Sequence, residues 1–316
     1  MDKMQYLDFE KGVRSLDEQI AVLGESRVLA DIEKARRLQV RRDAELRSVY
    51  SGLSPWNVVE VARHPDRPHA LDYIAGMVEN FVELKGDRAF ADDQAIVGGL
   101  GRISGRGVVV IGEEKGSDTE SRVRHNFGAV KPEGYRKAVR LMRLAEKFGL
   151  PVVSLIDTAG AFPGVESEQR NISGAIAESI QASLDLSVPS VAVVIGEGGS
   201  GGAMAIAAAS RVLMLEYSVY SVVSPEGCAS ILWKDANHKK DAAKALKLTA
   251  ADLLGMGVID AVIEEPAGGA HRGREETVRR VREVVSIELK ALSKFSRAQI
   301  RDSRVDKFER MTRLAK

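Results

Sequence analysis

Between Gly196 and Gly202 the chain reads Gly-Glu-Gly-Gly-Ser-Gly-Gly, set between the apolar run "VAVVI" and the alanine-rich run "AMAIAAAS". Three chemistries fit those residues. Gly198-Gly199-Ser200-Gly201-Gly202 matches G-x-S-x-G, the strand-to-helix elbow of a nucleophilic serine. Gly196 to Gly201 also matches G-x-G-x-x-G, and Glu216 stands about 20 residues on, where a ribose-binding acid belongs. In the third reading the serine is incidental. Consecutive glycines at a helix start leave backbone N–H groups bare, beside the positive end of the helix dipole. Two such groups make an oxyanion hole, which stabilises charge developing on a carbonyl oxygen. The stretch "DTAGAFPG", Asp157 to Gly164, offers Gly160 and Ala161 as further donors, with Phe162 beside them. A fourth reading needs no chemistry: glycine lets a strand and a helix pack tightly.

The rest of the chain weighs these readings. A hydrolase needs a histidine after the serine, and only His238 and His271 follow it. His238 lies in "KDANHKKDAAK" and His271 in "PAGGAHRGRE", neither of which reads as a strand end, so both are expected at the surface. For a dinucleotide fold, the helix over about 202–210 is short, and the loop follows several other α/β units.

The elements that position this loop follow from hydrophobic pattern. "GVVVIG" (107–112), "PVVSLI" (151–156), "SVAVVI" (190–195) and "RVLML" (211–215) are short apolar runs suited to strands buried on both faces. "PEGYRKAVRLMRLAEKF" (132–148) is helical, with an apolar side and a cationic side expected to face solvent. Strands alternating with helices predict an α/β architecture. Two units share one grammar, a buried strand ending in small residues with a helix directly after it, which aims helix N-termini at one spot.

The flanks differ. Residues 1–50 read as a helical hairpin whose thin apolar stripe must pack on the main body or a partner. Ser15 to Glu18 has capping-box spacing, and an Arg-rich second helix is expected over 27–49. Residues 51–271 form the main domain. From residue 272 to 316 the chain reads as a charged helix, solvated or partner-facing, ending in a basic tail.

Composition narrows the class. Lys+Arg number 46 and Asp+Glu 45, a net charge of +1, so no overall basic field points to nucleic acid. The single cysteine, Cys228, excludes a disulfide framework and a multi-cysteine zinc site in this chain, and no metal is expected. The N-terminus lacks the apolar core of a signal peptide, and no run approaches the roughly 18 apolar residues of a membrane span. A cytoplasmic location is expected.

Four long motifs, "FVELKGDRAFADD", "PEGYRKAVRLMRLAEKFG", "IGEGGSGGAMAI" and "YSVYSVVSPEGCASILWKDA", stand in this order. With them the chain closely resembles the carboxyltransferase alpha subunits of bacterial-type acetyl-CoA carboxylase, over nearly its whole length. The resemblance implies a crotonase/ClpP-like α/β fold of repeated ββα units. It implies transfer of a carboxyl group from carboxybiotin, carried on a partner, to acetyl-CoA, giving malonyl-CoA for fatty acid biosynthesis. The biotin brings its own base, the ureido anion left when its carboxyl group departs. Gly201, Gly202 and Ala203, with Gly160 and Ala161, would supply N–H donors, and Gly198, Gly199, Ser200 and Phe162 would line the cofactor. The implied partners are a zinc-ribbon, acyl-CoA-binding beta subunit in an alpha2beta2 heterotetramer, the biotin carboxyl carrier protein and biotin carboxylase. This chain has no Met-Lys-Met biotinylation site and no Walker-type loop, which agrees with that division of labour. It departs from the family at Ala159, where proline is usual, at Glu113-Glu114, usually His-Gln, and at Glu168 to Asn171, usually Glu-Glu-Arg-Gly. Two carboxylates beside Lys115 reverse the local charge, so no role is carried onto those positions.

Overall fold

A computed structural model describes residues 5–24 and 28–311. Its centre is an eight-stranded sheet of β1 (Glu79–Glu83), β2 (Ile96–Ile103), β3 (Arg106–Glu113), β4 (Val152–Thr158), β5 (Ser190–Gly199), β6 (Arg211–Leu215), β7 (Val219–Ser221) and β8 (Ala261–Ile263). The order is β1-β2-β3-β4-β5-β6-β8, with β7 paired to the far end of β5. β1, β2 and β3 pair antiparallel, and every pairing from β3 onward is parallel. The four runs rich in Val, Ile or Leu became β3, β4, β5 and β6. Successive strand residues face opposite sides, and β4 shows the result. Val152 and Ile156 join the core beneath the helices Pro132–Phe148 and Ile172–Asp185, while Val153 and Leu155 join the core on the other face.

That second core is closed by the helix Arg274–Leu292. Its Val278, Val281, Val285, Leu289 and Leu292 fall on one stripe and lie buried against Tyr73, Met77 and the sheet. The helix is therefore a core layer and not the solvated or partner-facing element expected from its charge. Its cations and acids instead pair along the outer side, as in Arg279 with Glu276 and Glu283. Where a basic tail was expected, a second helix, Arg297–Met311, follows; residues 312–316 lie outside the described residues. Arg304 anchors it. Its buried guanidinium donates to the carbonyls of Ser183 (3.0 Å), Leu184 (3.1 Å) and Leu186 (2.6 Å), at the C-terminal end of the helix Ile172–Asp185.

The N-terminal helices are Lys11–Gly24 and Leu29–Ser51; Arg27 lies outside the described residues. Ser15 sits inside the first helix and caps nothing. The Glu10 carboxylate instead accepts the Leu7 N–H at 2.8 Å. The base of the hairpin docks on the body through Val13, Leu46, Tyr50 and Val61, and through Arg272, whose guanidinium meets the buried Glu10 at 2.9 Å. The helix Pro132–Phe148 has the predicted span, and Arg143 and Lys147 are exposed as expected, but its other three cations turn inward. Lys137 is fully buried and donates to the Asp93 carbonyl at 2.8 Å, Arg136 pairs with Asp87 at 2.8 Å, and Arg140 donates to the Leu84 carbonyl at 2.7 Å.

Candidate functional site

The two strand-to-helix junctions meet at the carboxyl ends of β4 and β5. β5 ends at Gly199 and the helix Ser200–Ala207 begins directly, with Ser200 held at φ +56°. β4 ends at Thr158 and continues into Ala159, Gly160 and Ala161. A β-carbon built on Gly202 would stand 2.8 Å from the Ala161 nitrogen and 3.0 Å from the Tyr135 hydroxyl, so Gly202 and the Gly160–Ala161 peptide touch. Gly199 has the same property against the backbone of Ala159. Gly201 does not. A β-carbon there would meet only Ile176, at the ordinary contact distance of 3.5 Å, so packing gives no reason for glycine at 201. The N–H groups of Gly201 and Gly202 belong to the first helical turn, which lacks acceptors within the helix. Ala203 is fully buried behind them.

The donors on the facing loop are not equivalent. The Gly160 N–H is engaged by Thr158 Oγ1 at 3.0 Å, and the Thr158 hydroxyl donates in turn to the Gly128 carbonyl at 2.7 Å. Phe162 donates its N–H to the Val130 carbonyl at 3.0 Å, and its ring lies under Lys131 Nζ at 4.7 Å. Ala161 stands between them, against Gly202. Gly160 has φ +148° and open space where a side chain would project, so the loop is bare on that side.

A groove of about 380 Å³ runs from this junction along Ser200, Gly201, Met204, Tyr220, Leu253 and Phe308. Phe308 reaches it from the second C-terminal helix. Among the described residues no histidine, aspartate, glutamate or cysteine lines the groove, so none of them offers Ser200 a side-chain base there. The two candidate triad histidines are elsewhere. His238 is exposed beside Asp241 at 3.2 Å. His271 is not at the surface as expected, but buried with its ring stacked on His64 at 3.9 Å. The elbow geometry is present without its base. Glu216, the candidate ribose acid, instead accepts the Glu265 N–H at 3.1 Å.

Beneath the loop lies a charged network that no spacing in the sequence announces. The buried Asp157 carboxylate accepts the Glu197 N–H at 2.9 Å and meets Lys115 Nζ at 2.7 Å. Lys115 also reaches Glu197 at 2.9 Å, and Arg63 bridges Glu197 and Glu226, each at 2.6 Å. Burial acts to raise the Asp157 carboxyl, but the Lys115 ammonium and His69 outweigh it and hold Asp157 well below the usual carboxylate range. The carboxylate also fills the place of a side chain on Gly196, so it packs directly beneath the carboxyl-terminal part of β5. Lys115 is thus committed to two acids of this chain. Of the two departures beside it, Glu114 accepts the N–H groups of Leu71 (2.8 Å) and Gly116 (2.7 Å). Glu113 is wholly buried, and neither of its oxygens closes a hydrogen bond. Burial pushes its carboxyl well above the usual range, and the Asp157 charge adds to that.

Comparison with known proteins places the chain in a family and a fold. The family model described as acetyl co-enzyme A carboxylase carboxyltransferase-like matches residues 6–312. A chain from Rhodospirillum centenum named acetyl-coenzyme A carboxylase carboxyl transferase subunit alpha is 56% identical over 96% of this chain and 97% of its own. Its counterpart in Rhizorhabdus wittichii is 54% identical over 96% and 98%. Among solved structures, transcarboxylase 12S with methylmalonyl-coenzyme A bound superposes with a TM-score of 0.57 at 22% identity, over 71% of this chain and 42% of that one. A Pseudomonas malonate decarboxylase hetero-tetramer in complex with coenzyme A gives 0.56 at 14% identity, over 68% and 85%. These structural likenesses concern the fold alone, which is the crotonase-type carboxyltransferase fold. The near full-length match and the level of identity together establish that the chain belongs to the acetyl-CoA carboxylase carboxyltransferase alpha-subunit family.

Proposed function

We propose that this chain provides the biotin-facing half of a carboxyltransferase site, which forms malonyl-CoA from acetyl-CoA only together with a beta subunit. One observation carries the reading: Gly202, in the first turn of the helix, meets the Ala161 amide across a contact too close for any side chain, and Gly201 beside it is left bare. Backbone N–H groups aimed at one point stabilise negative charge on a carbonyl oxygen, and being fixed they cost no reorganisation as the charge develops. The residues fit the group that the family implies. The groove beside Gly201 is apolar, its size suits a neutral bicyclic ring, and it offers no base to compete for a proton. Carboxybiotin, when bound, supplies the carboxyl group and the basic nitrogen. Gly201, Gly202 and Ala161 would hold its carbonyl oxygen, while Ser200, Met204 and Tyr220 exclude water around it. Gly198 and Gly199 shape the turn, and Phe162 stands at the edge of the facing loop.

In this reading the beta subunit brings the acyl-CoA pocket, the biotin carboxyl carrier protein brings the carboxyl group, and biotin carboxylase recharges it, within an alpha2beta2-centred cytoplasmic assembly. No helix among the described residues is long and apolar enough to cross a membrane. Reverse carboxyl transfer tests the proposal. The chain is mixed with its beta partner, malonyl-CoA and biocytin, and acetyl-CoA release is followed, with each subunit alone as control. Release confined to the mixture supports a shared site. A correctly assembled complex that releases none assigns this chain a non-catalytic place in the assembly.

A further inference from the structure

A second cavity, of about 230 Å³, opens at the carboxyl ends of β3, β4 and β5 and is lined by His69, Lys115, Arg122, Phe127, Asp157 and Glu197, among others. In parallel sheets this end of the strands is where ligands bind. Three observations give the cavity a chemistry that the carboxyltransferase reading does not use. The first is an oriented histidine. His69 Nδ1 lies 3.3 Å from Asp157 Oδ2, and His69 Nε2 is buried with no hydrogen-bond partner. Facing a carboxylate, Nδ1 is the ring atom that donates; with the ring neutral, Nε2 then presents a lone pair and needs a donor.

The second is a cation without an acid. Arg63 and Lys115 are each bridged to two carboxylates, whereas Arg122 has no carboxylate within ion-pair distance among the described residues. Among the described residues its guanidinium makes a single hydrogen bond, a long one, Nε to the Gly116 carbonyl at 3.4 Å. The third is strain. Asn126, Phe127 and Gly128 are three consecutive left-handed residues, at φ +50°, +55° and +80°, and two of them are not glycine. Such strain gathers where a site is held open. Here it keeps the Phe127 side chain exposed at the rim while Gly128 packs against Lys115.

We propose that this cavity binds a small oxyanion that carries its own O–H. The oxyanion oxygens would lie on the Arg122 guanidinium, and the O–H would donate to His69 Nε2. Two of the three Lys115 donors are engaged by Asp157 and Glu197, which leaves the third for the anion. Hydrogen phosphate and bicarbonate share this chemistry, and both fit the volume. Sulfate has the shape of phosphate but carries no O–H at neutral pH, so it lacks the one donor that His69 requires.

The test uses the full chain with histidine labelled at the ring nitrogens, titrated separately with inorganic phosphate, bicarbonate and sulfate at constant ionic strength. Saturable binding of phosphate, bicarbonate or both is expected, with a shift of the His69 Nε2 resonance and affinity at least about tenfold above that for sulfate. Saturation by one anion alone identifies the source. Arg122→Gln should weaken binding by about tenfold or more with the circular dichroism spectrum unchanged, and Arg122→Lys should retain part of it. Equal binding of sulfate, an unmoved His69 resonance, or no saturable binding of either protonated anion would overturn the proposal.

Discussion

Gly202 lies against Ala161 so closely that a β-carbon at 202 would stand 2.8 Å from the Ala161 nitrogen, while the same atom at Gly201 would find room. Two adjacent glycines therefore answer to different demands. Gly202→Ala must push the two loops apart, and overpacking of this kind costs about 1–3 kcal/mol. Gly201→Ala removes no packing and adds a good helix former, so its thermal midpoint should equal or exceed that of the parent. If a substrate carbonyl approaches the bare N–H of Gly201, the added methyl should lower reverse carboxyl transfer, by about tenfold or more on the scale of a damaged oxyanion donor. Thermal melts and the biocytin assay on both variants separate the two demands. Full activity in a stable Gly201→Ala protein would remove Gly201 from the site.

Ser200 has the left-handed backbone of a nucleophile elbow and stands in a groove with no histidine or carboxylate. Ser200→Ala should therefore keep most of the activity, since the backbone donors are untouched. Loss of a true nucleophile typically removes about 10⁴-fold or more. The chain should also resist labelling by a fluorophosphonate. Stoichiometric labelling, or a variant as inactive as an excised nucleophile, would favour the hydrolase reading over the backbone one.

The sequence-based reading succeeds where one property dominates a short window. β3 to β6 are nearly unbroken apolar runs, and the donor loop is written in glycine, because its chemistry is that of the backbone. The antiparallel β1 and β2 are not legible in this way. β2 carries Gly98, Gly99 and Gly101, whose missing side chains make room for Leu141, the Val82 backbone and Val78, and so its hydrophobicity lies in its neighbours. The helix Arg274–Leu292 shows its apolar stripe, but charges that pair with one another along the outer side look like solvation. The Lys115–Asp157–Glu197 network is hidden for another reason. Its members sit at the ends of three strands, and only the parallel register brings them together.

Glu113 is a wholly buried carboxyl without a hydrogen bond, held neutral chiefly by burial and further by the charge of Asp157. The sign follows from its raised folded-state pKa. The unfolded chain ionises near 4.5, while burial disfavours ionisation in the folded one, so stability is fully present below that pH and declines as pH rises towards the folded value. Glu113→Gln keeps the shape and cannot ionise. Its advantage over the parent in urea denaturation should be small at pH 4.5 and should grow as pH rises above it. Parallel stability curves for the two proteins across that range would show that Glu113 is ionised in the fold, against the burial argument.

The stacked pair His64 and His271 fixes the opposite, acidic limit. Burial, His64, Arg67 and Arg272 together push the His271 ring down to about 2, and burial also lowers His64, with Asp66 4.0 Å away as the nearest acid. Burial thus favours the neutral form of both rings in the fold. Their contribution is complete above the unfolded value of 6.5 and is lost as pH falls below it, because the unfolded chain then binds protons that the folded chain refuses. For His271 alone the loss at pH 5 is about 2 kcal/mol. Because His64 Nε2 donates to the Gln5 carbonyl (2.9 Å) and Arg272 holds Glu10, the damage should fall first on the docked base of the N-terminal hairpin. His271→Phe preserves a ring for His64 to stack on and removes the titration. Between pH 7 and pH 5 the parent should lose about 2 kcal/mol more than this variant, with protease cleavage appearing first in the hairpin. Equal losses in the two proteins would mean that His271 titrates normally and that the stacked pair sets no acid limit.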